Sequence, residues 1–77
     1  MNLVERAIVN TFPDTDPARL GGGMRLAEIP LWDSMNAINL LAEIEKLSGC
    51  SGLQLEFSED ITVSEITETL RSQGVKI

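Results

Sequence analysis

A chain of 77 residues has room for one small domain with one modest core. An apolar fraction of 43% and a charged fraction of 23% exclude wholesale disorder, and three aromatic residues among many Leu, Ile, Ala and Val favour helices over a β-sandwich. The net charge of −6 excludes a binder of phosphate backbones, which needs clustered bases.

That charge is unevenly placed. Glu43, Glu45, Glu56, Glu59, Asp60, Glu65 and Glu68 share their stretch with one base, Lys46, so residues 43–68 carry the whole net charge. Such a half-chain suits partners with basic patches, because complementary fields speed encounter and reject wrong partners. The lone Cys50 permits no internal disulfide, and without His no zinc constellation exists. Glu5 and Arg6 interrupt what would be a signal peptide's apolar region, and no apolar run approaches the ~20 residues that span a bilayer. The expectation is an intracellular, cytoplasmic protein that does not insert into membranes.

Residues 2–12 place Leu3, Val4, Ala7, Ile8 and Phe12 at helical spacing, and Pro13 marks the exit. Residues 13–32 read as a long irregular loop. It holds three prolines and the run Gly21-Gly22-Gly23, with a short helical turn near Pro17 to Leu20 because Asp16 before Pro17 reads as N-cap then first helical residue. Long loops in small domains usually span a distance. This one is expected to run the length of a bundle, with Leu26, Ile29, Leu31 and Trp32 pinning it to the core. The three glycines are no phosphate-binding loop, since neither a following Lys-Ser/Thr nor a flanking strand is present.

The clearest helix begins at Asp33 or Ser34 and runs to about Leu47, with Asp33 as N-cap and Gly49 as left-handed terminator. Met35, Ile38, Leu41 and Ala42 follow helical spacing. Met35, Ile38, Ala42, Leu47, Phe57, Ile66 and Leu70 are the expected core. Leu53, Leu55 and Phe57 alternate with polar residues, but no second strand exists to pair with them. An extended linker is therefore expected, running into a short helical turn near Ser58 to Ile61. Thr62-Val63-Ser64-Glu65 is a capping box opening a last helix to about Ser72, with Gly74 as its stop.

The chain has neither His nor Tyr, and its two lysines, Lys46 and Lys76, lie on a polar flank and near the terminus. A catalytic site is not expected. The remaining polar signal is Leu31-Trp32-Asp33-Ser34-Met35 at the mouth of the best helix. Ser34 there is reachable by another enzyme, sits where unpaired N–H groups favour a phosphate, and has no base of its own. It reads as a substrate for modification rather than as a nucleophile. The plainer reading makes Asp33 and Ser34 ordinary capping residues.

Asp-Ser-Met opening an amphipathic helix, with Leu40-Leu41-Ala42-Glu43-Ile44-Glu45 behind it, resembles the acyl carrier protein family, whose motif is Asp-Ser-Leu. The resemblance covers nearly the whole chain, from the first helix and long loop to the Ile61-Thr62-Val63 approach to the last helix. It implies an all-α, small four-helix bundle (three main helices plus one short helix) over residues 1–77. It also implies a 4′-phosphopantetheine arm joined to Ser34, installed from coenzyme A by a phosphopantetheinyl transferase using Mg²⁺ held mainly by that enzyme. The arm carries acyl groups as thioesters. Asp33 carries over as the flanking acid that helps engage the transferase. Met35, Asn36, Asn39, Glu43, Glu45 and Glu56 are the expected docking residues for synthases and acyl-transferring enzymes with basic patches.

Met35 replaces the family's Leu, Asn36 and Asn39 stand where many fatty-acid carriers place acids, and Lys46 reverses a sign. These departures imply a specialised carrier with its own partners; the acidic half-chain favours a free-standing carrier of fatty-acid, polyketide or specialised lipid synthesis, expected to be a monomer. The family sometimes sheathes its acyl chain between helices, and small Ala37 and Ala42 leave room for that. An aminoacyl or peptidyl carrier shares the fold and the serine. A cofactor-free adaptor bundle binding a basic partner is the reading from another class.

Overall fold

The computed structural model describes residues 2–30 and 32–77. Leu31, one of the expected loop anchors, lies outside the described residues.

Helix α1 spans Leu3–Thr11. Asn2 caps it: its Oδ1 accepts the Glu5 N–H at 2.9 Å, and the Asn2 N–H donates to Glu5 Oε1 at 3.2 Å. This reciprocal box occupies two donors that a helix start otherwise leaves unpaired. Val4, Ala7 and Ile8 form the buried stripe. Phe12 closes the helix, its N–H donating to the Ile8 carbonyl at 2.7 Å, and Pro13 follows.

The long loop contains two single 3₁₀ turns. The first, Pro17–Arg19, is the one anticipated from Asp16-Pro17, and Asp16 Oδ1 accepts the Ala18 N–H at 3.0 Å. The second, Leu26–Glu28, has no proline to announce it; the Arg25 N–H donates to Glu28 Oε2 at 2.7 Å. Leu26 and Ile29 are buried and Trp32 is half-buried, as expected of anchors. Between these points the loop lies against the start of the last helix. Leu26 and Ala27 N–H groups donate to the Ile61 and Glu59 carbonyls, and Val63 and Ser64 N–H groups donate to the Met24 and Gly22 carbonyls, all at 2.9–3.1 Å. A bridge between Arg25 and Thr62 completes this antiparallel strap, and no strand forms among the described residues.

Helix α2 spans Ser34–Ser48. Its end is set by Gly49 at φ +71°, a left-handed conformation that costs a side-chain-bearing residue about 1 kcal/mol or more. Its buried stripe is Ala37, Leu40 and Ile44. Met35, Ile38 and Ala42, expected in the core, are exposed instead; Met35 is 77% and Ile38 72% accessible. The apolar residues of this helix form two stripes at spacings of three and four, and only one can face inward. The stripe of 37, 40, 44 and half-buried Leu47 runs the full helix and brings more bulk, while the stripe of 35, 38 and 42 runs out at Glu45.

The linker behaves as its alternation suggests. Leu53, Leu55 and Phe57 are half-buried against the core, while Gln54, Glu56 and Ser58 are exposed. Phe57, expected as full core, lies at that margin. The Gln73 side chain stands in for a pairing strand: its Oε1 accepts the Gln54 N–H at 2.9 Å and its Nε2 donates to the Gln54 carbonyl at 2.7 Å. Residues 58–61 close one turn, the Ile61 N–H donating to the Ser58 carbonyl at 3.2 Å, without the run of bonds that makes a helix.

Helix α3 spans Val63–Ser72 and opens on the expected capping box, with Thr62 Oγ1 accepting the Glu65 N–H at 3.1 Å. Val63, Ile66, Thr67 and Leu70 are buried. Arg71 pairs with Glu68 at 3.1 Å, and Gly74 turns the chain at φ +90°. The three helices share one core, α1 packing chiefly on α2 and also on α3. The radius of gyration, 11.1 Å, is close to the ~11.5 Å expected of a packed chain this long.

Candidate functional site at the mouth of α2

The position of the α2 start is fixed by aromatic packing. Trp32 lies between Phe12, at the end of α1, and Phe57, on the linker, with ring centroids 5.6 Å and 6.1 Å away and tilted rather than stacked. The loop therefore arrives at Asp33 held from both sides. Asp33 adopts an extended conformation (φ −151°, ψ 170°), and its Oδ1 accepts the Asn36 N–H at 2.7 Å. This short, charge-assisted bond orients the first turn.

Ser34 is the first residue of α2 and is exposed. None of the side-chain hydrogen bonds among the described residues involves its hydroxyl. Asp33 is occupied by Asn36, so the N–H groups of Ser34 and Met35 have no intrahelical partner and the positive end of the helix dipole faces outward beside the hydroxyl. With no His in the chain, the hydroxyl is accessible and unactivated, next to backbone donors suited to a phosphate.

The other anticipated site residues do not converge on one patch. Met35 is exposed one residue beyond Ser34, and Asn36 and Asn39 are joined by a 3.3 Å bond from Asn39 Nδ2 to Asn36 Oδ1. Glu43 turns toward α1 and accepts from Asn10 Nδ2 at 3.1 Å. Glu45 turns toward the linker and accepts the Leu53 N–H at 3.3 Å. Both are half-buried, whereas Glu56 lies exposed on the linker. The exposed residues of α2 are Ser34, Met35, Ile38, Asn39, Ala42 and Lys46, none of them acidic. Ile38 and Ala42, expected in the core, were not expected to belong to this surface, whereas Lys46 was expected on a polar flank.

Within the acidic stretch of residues 43–68 the exposed acids lie off this helix, at Glu56, Glu59, Asp60, Glu65 and Glu68. Two clefts open beside the helices. One, about 750 Å³, lies among Leu41, Leu53, Leu55, Ile61 and Thr69, between α2, the linker and α3. Ala42 does not line it, and Ala37 is buried in the core. The other, about 670 Å³, lies in the first loop among Asp14, Asp16, Arg19 and Glu28. No group of three or more potential metal ligands forms among the described residues, and no helix among them is long and apolar enough to cross a membrane. Comparison with protein-family models, with curated proteins and with solved structures gives no match to any of them.

Proposed function

We propose that the chain is an acyl carrier protein, with Ser34 as the attachment point of a 4′-phosphopantetheine arm. The observation that carries this reading is an exposed serine hydroxyl on the first turn of a well-capped helix, beside two open N–H groups and hydrogen-bonded to no base. A nucleophilic enzyme would need a proton acceptor at the hydroxyl. A modification substrate needs accessibility, a fixed position and a surrounding that tolerates the new phosphodiester, and these are present.

Each residue has a defined part. Asp33 holds the first turn through Asn36, so the hydroxyl is presented in one orientation. The modifying transferase takes the hydroxyl proton. The serine oxygen bonds to the phosphorus that carries the pantetheine, and coenzyme A's nucleotide half leaves with the broken pyrophosphate bond. The Ser34 and Met35 N–H groups then face the phosphate. The arm supplies a terminal thiol that holds acyl groups as thioesters. The turn at 58–61 stands in for the short fourth helix of such carriers, and the apolar cleft beside Leu41 and Leu55 is the space an acyl tail can occupy. The exposed acids of the linker and α3 suit basic surfaces on partner enzymes.

Intact mass tests the reading. Incubation with coenzyme A, Mg²⁺ and a broad-specificity phosphopantetheinyl transferase is expected to add one phosphopantetheine, and Ser34→Ala to prevent it. An unchanged mass under conditions that modify a control carrier overturns the assignment.

A further inference from the structure

We infer that Gln73, at the end of α3, is the latch that holds the linker in place as one wall of the cleft between α2 and α3, and so sets how well that cleft takes a neutral apolar tail. That the tail is a carried acyl group rests on the carrier reading; the cleft and its latch do not.

The wall is Leu53 to Glu56, facing Leu41 of α2 with Ile61 and Thr69 beside it. Leu41, Leu53, Leu55 and Ile61 make the lining apolar, and Glu56 is its one charge, so an uncharged chain fits and an anion does not. Among the described residues no backbone–backbone hydrogen bond joins residues 50–57 to the rest of the molecule. Besides the apolar contacts of its half-buried side chains, the linker is therefore suspended at two ends. At the far end Phe57 packs on Trp32. At the near end Glu45 takes the Leu53 N–H at 3.3 Å, and Gln73 takes both backbone groups of Gln54, the N–H at 2.9 Å and the carbonyl at 2.7 Å. A primary amide offers one acceptor and donors in the arrangement of a peptide group, so Gln73 pairs with Gln54 as a neighbouring strand would. Gln73 is itself fixed as the residue that ends α3, its N–H donating to the Leu70 carbonyl at 3.0 Å. Both amides are exposed, so the latch contributes little to the core and acts on the linker's position. A cleft whose wall is held ready binds more tightly than one whose wall must first be ordered.

The test uses the unmodified full chain, so it does not depend on attachment at Ser34. The probe is N-phenyl-1-naphthylamine, a neutral apolar dye whose fluorescence rises on leaving water. Gln73→Ala removes both bonds, and Gln73→Glu keeps the length but has no donor for the Gln54 carbonyl. Each is expected to bind the dye about 5-fold more weakly than the wild-type chain, whereas Ser72→Ala, next door on α3, is expected to bind it equally. In both Gln73 variants the Gln54 amide is expected to exchange with deuterium at least about 3-fold faster, with the Leu40 amide in the core little changed. No dye binding by the wild-type chain, wild-type affinity in either Gln73 variant, or an acceleration at Leu40 as large as that at Gln54 overturns the inference. Failure of the carrier reading registers separately, as an unchanged mass in the transferase assay.

Discussion

Thr15 is 97% buried by its 3% accessibility, and its Oγ1 is the one buried side-chain polar atom among the described residues without a hydrogen-bond partner. A hydroxyl stripped of water without a protein partner costs about 1–3 kcal/mol, whereas a methyl of the same shape costs nothing there. Thr15→Val is therefore expected to raise stability by about 1 kcal/mol, read as a rise in Tm of ~4–8 °C by calorimetry. An unchanged or lower Tm would mean that the hydroxyl is bonded to water. Asp33 makes the opposite case. Its Oδ1 caps α2 through the Asn36 N–H, and Asp33→Ala is expected to cost about 1 kcal/mol in urea denaturation. Because the same bond orients Ser34, this variant is also expected to be modified more slowly by the transferase, with Asp33→Asn restoring most of the lost stability.

At the scale of the element, the exposed and buried stripes of α2 give a direct comparison. Leu40→Ala and Ile44→Ala each remove a fully buried side chain and are expected to cost about 2–5 kcal/mol. Met35→Ala and Ile38→Ala are expected to stay within about 0.5 kcal/mol of the parent, because their side chains already meet water. Urea midpoints of the four variants check this, and equal losses from both pairs would sink the assignment of faces. The ends of the elements were legible because their signals are local: Asp33 and Gly49 bracket α2, Thr62 and Glu65 open α3, and Pro13 follows α1. The capping box of Asn2 and Glu5 carries the same kind of signal. Which side of α2 turns inward was not legible from spacing alone, since that choice depends on what α1 and α3 present. Ser34 could be located from its neighbours in sequence, but the surface around it could not. That surface depends on where Asn10 and the Leu53 N–H draw the two glutamates, and both lie far away along the chain.

Over the whole molecule the acidic half is a repulsive load. Glu56, Glu59, Asp60, Glu65 and Glu68 are all exposed, and among these five only Glu68 has a cationic partner, Arg71. Net charge far from zero strains a small fold, and salt relieves it. Adding about 0.5 M NaCl is expected to raise Tm by ~2–5 °C, and replacing Glu59 and Asp60 by Gln and Asn to shrink that rise. A Tm that falls with salt would show that attractive pairs dominate. The strap joining residues 22–27 to residues 59–64 has its own effect at this scale. Two of the first N–H groups of α3 are satisfied by carbonyls that lie some forty positions earlier, so the last helix cannot finish its opening turn until the first loop has arrived. The two halves of the chain then have no separate melting events. Amides of Leu26 and Ala27 should exchange with deuterium in step with those of Val63 and Ser64, and a single protease cut near Met24 should release both regions together.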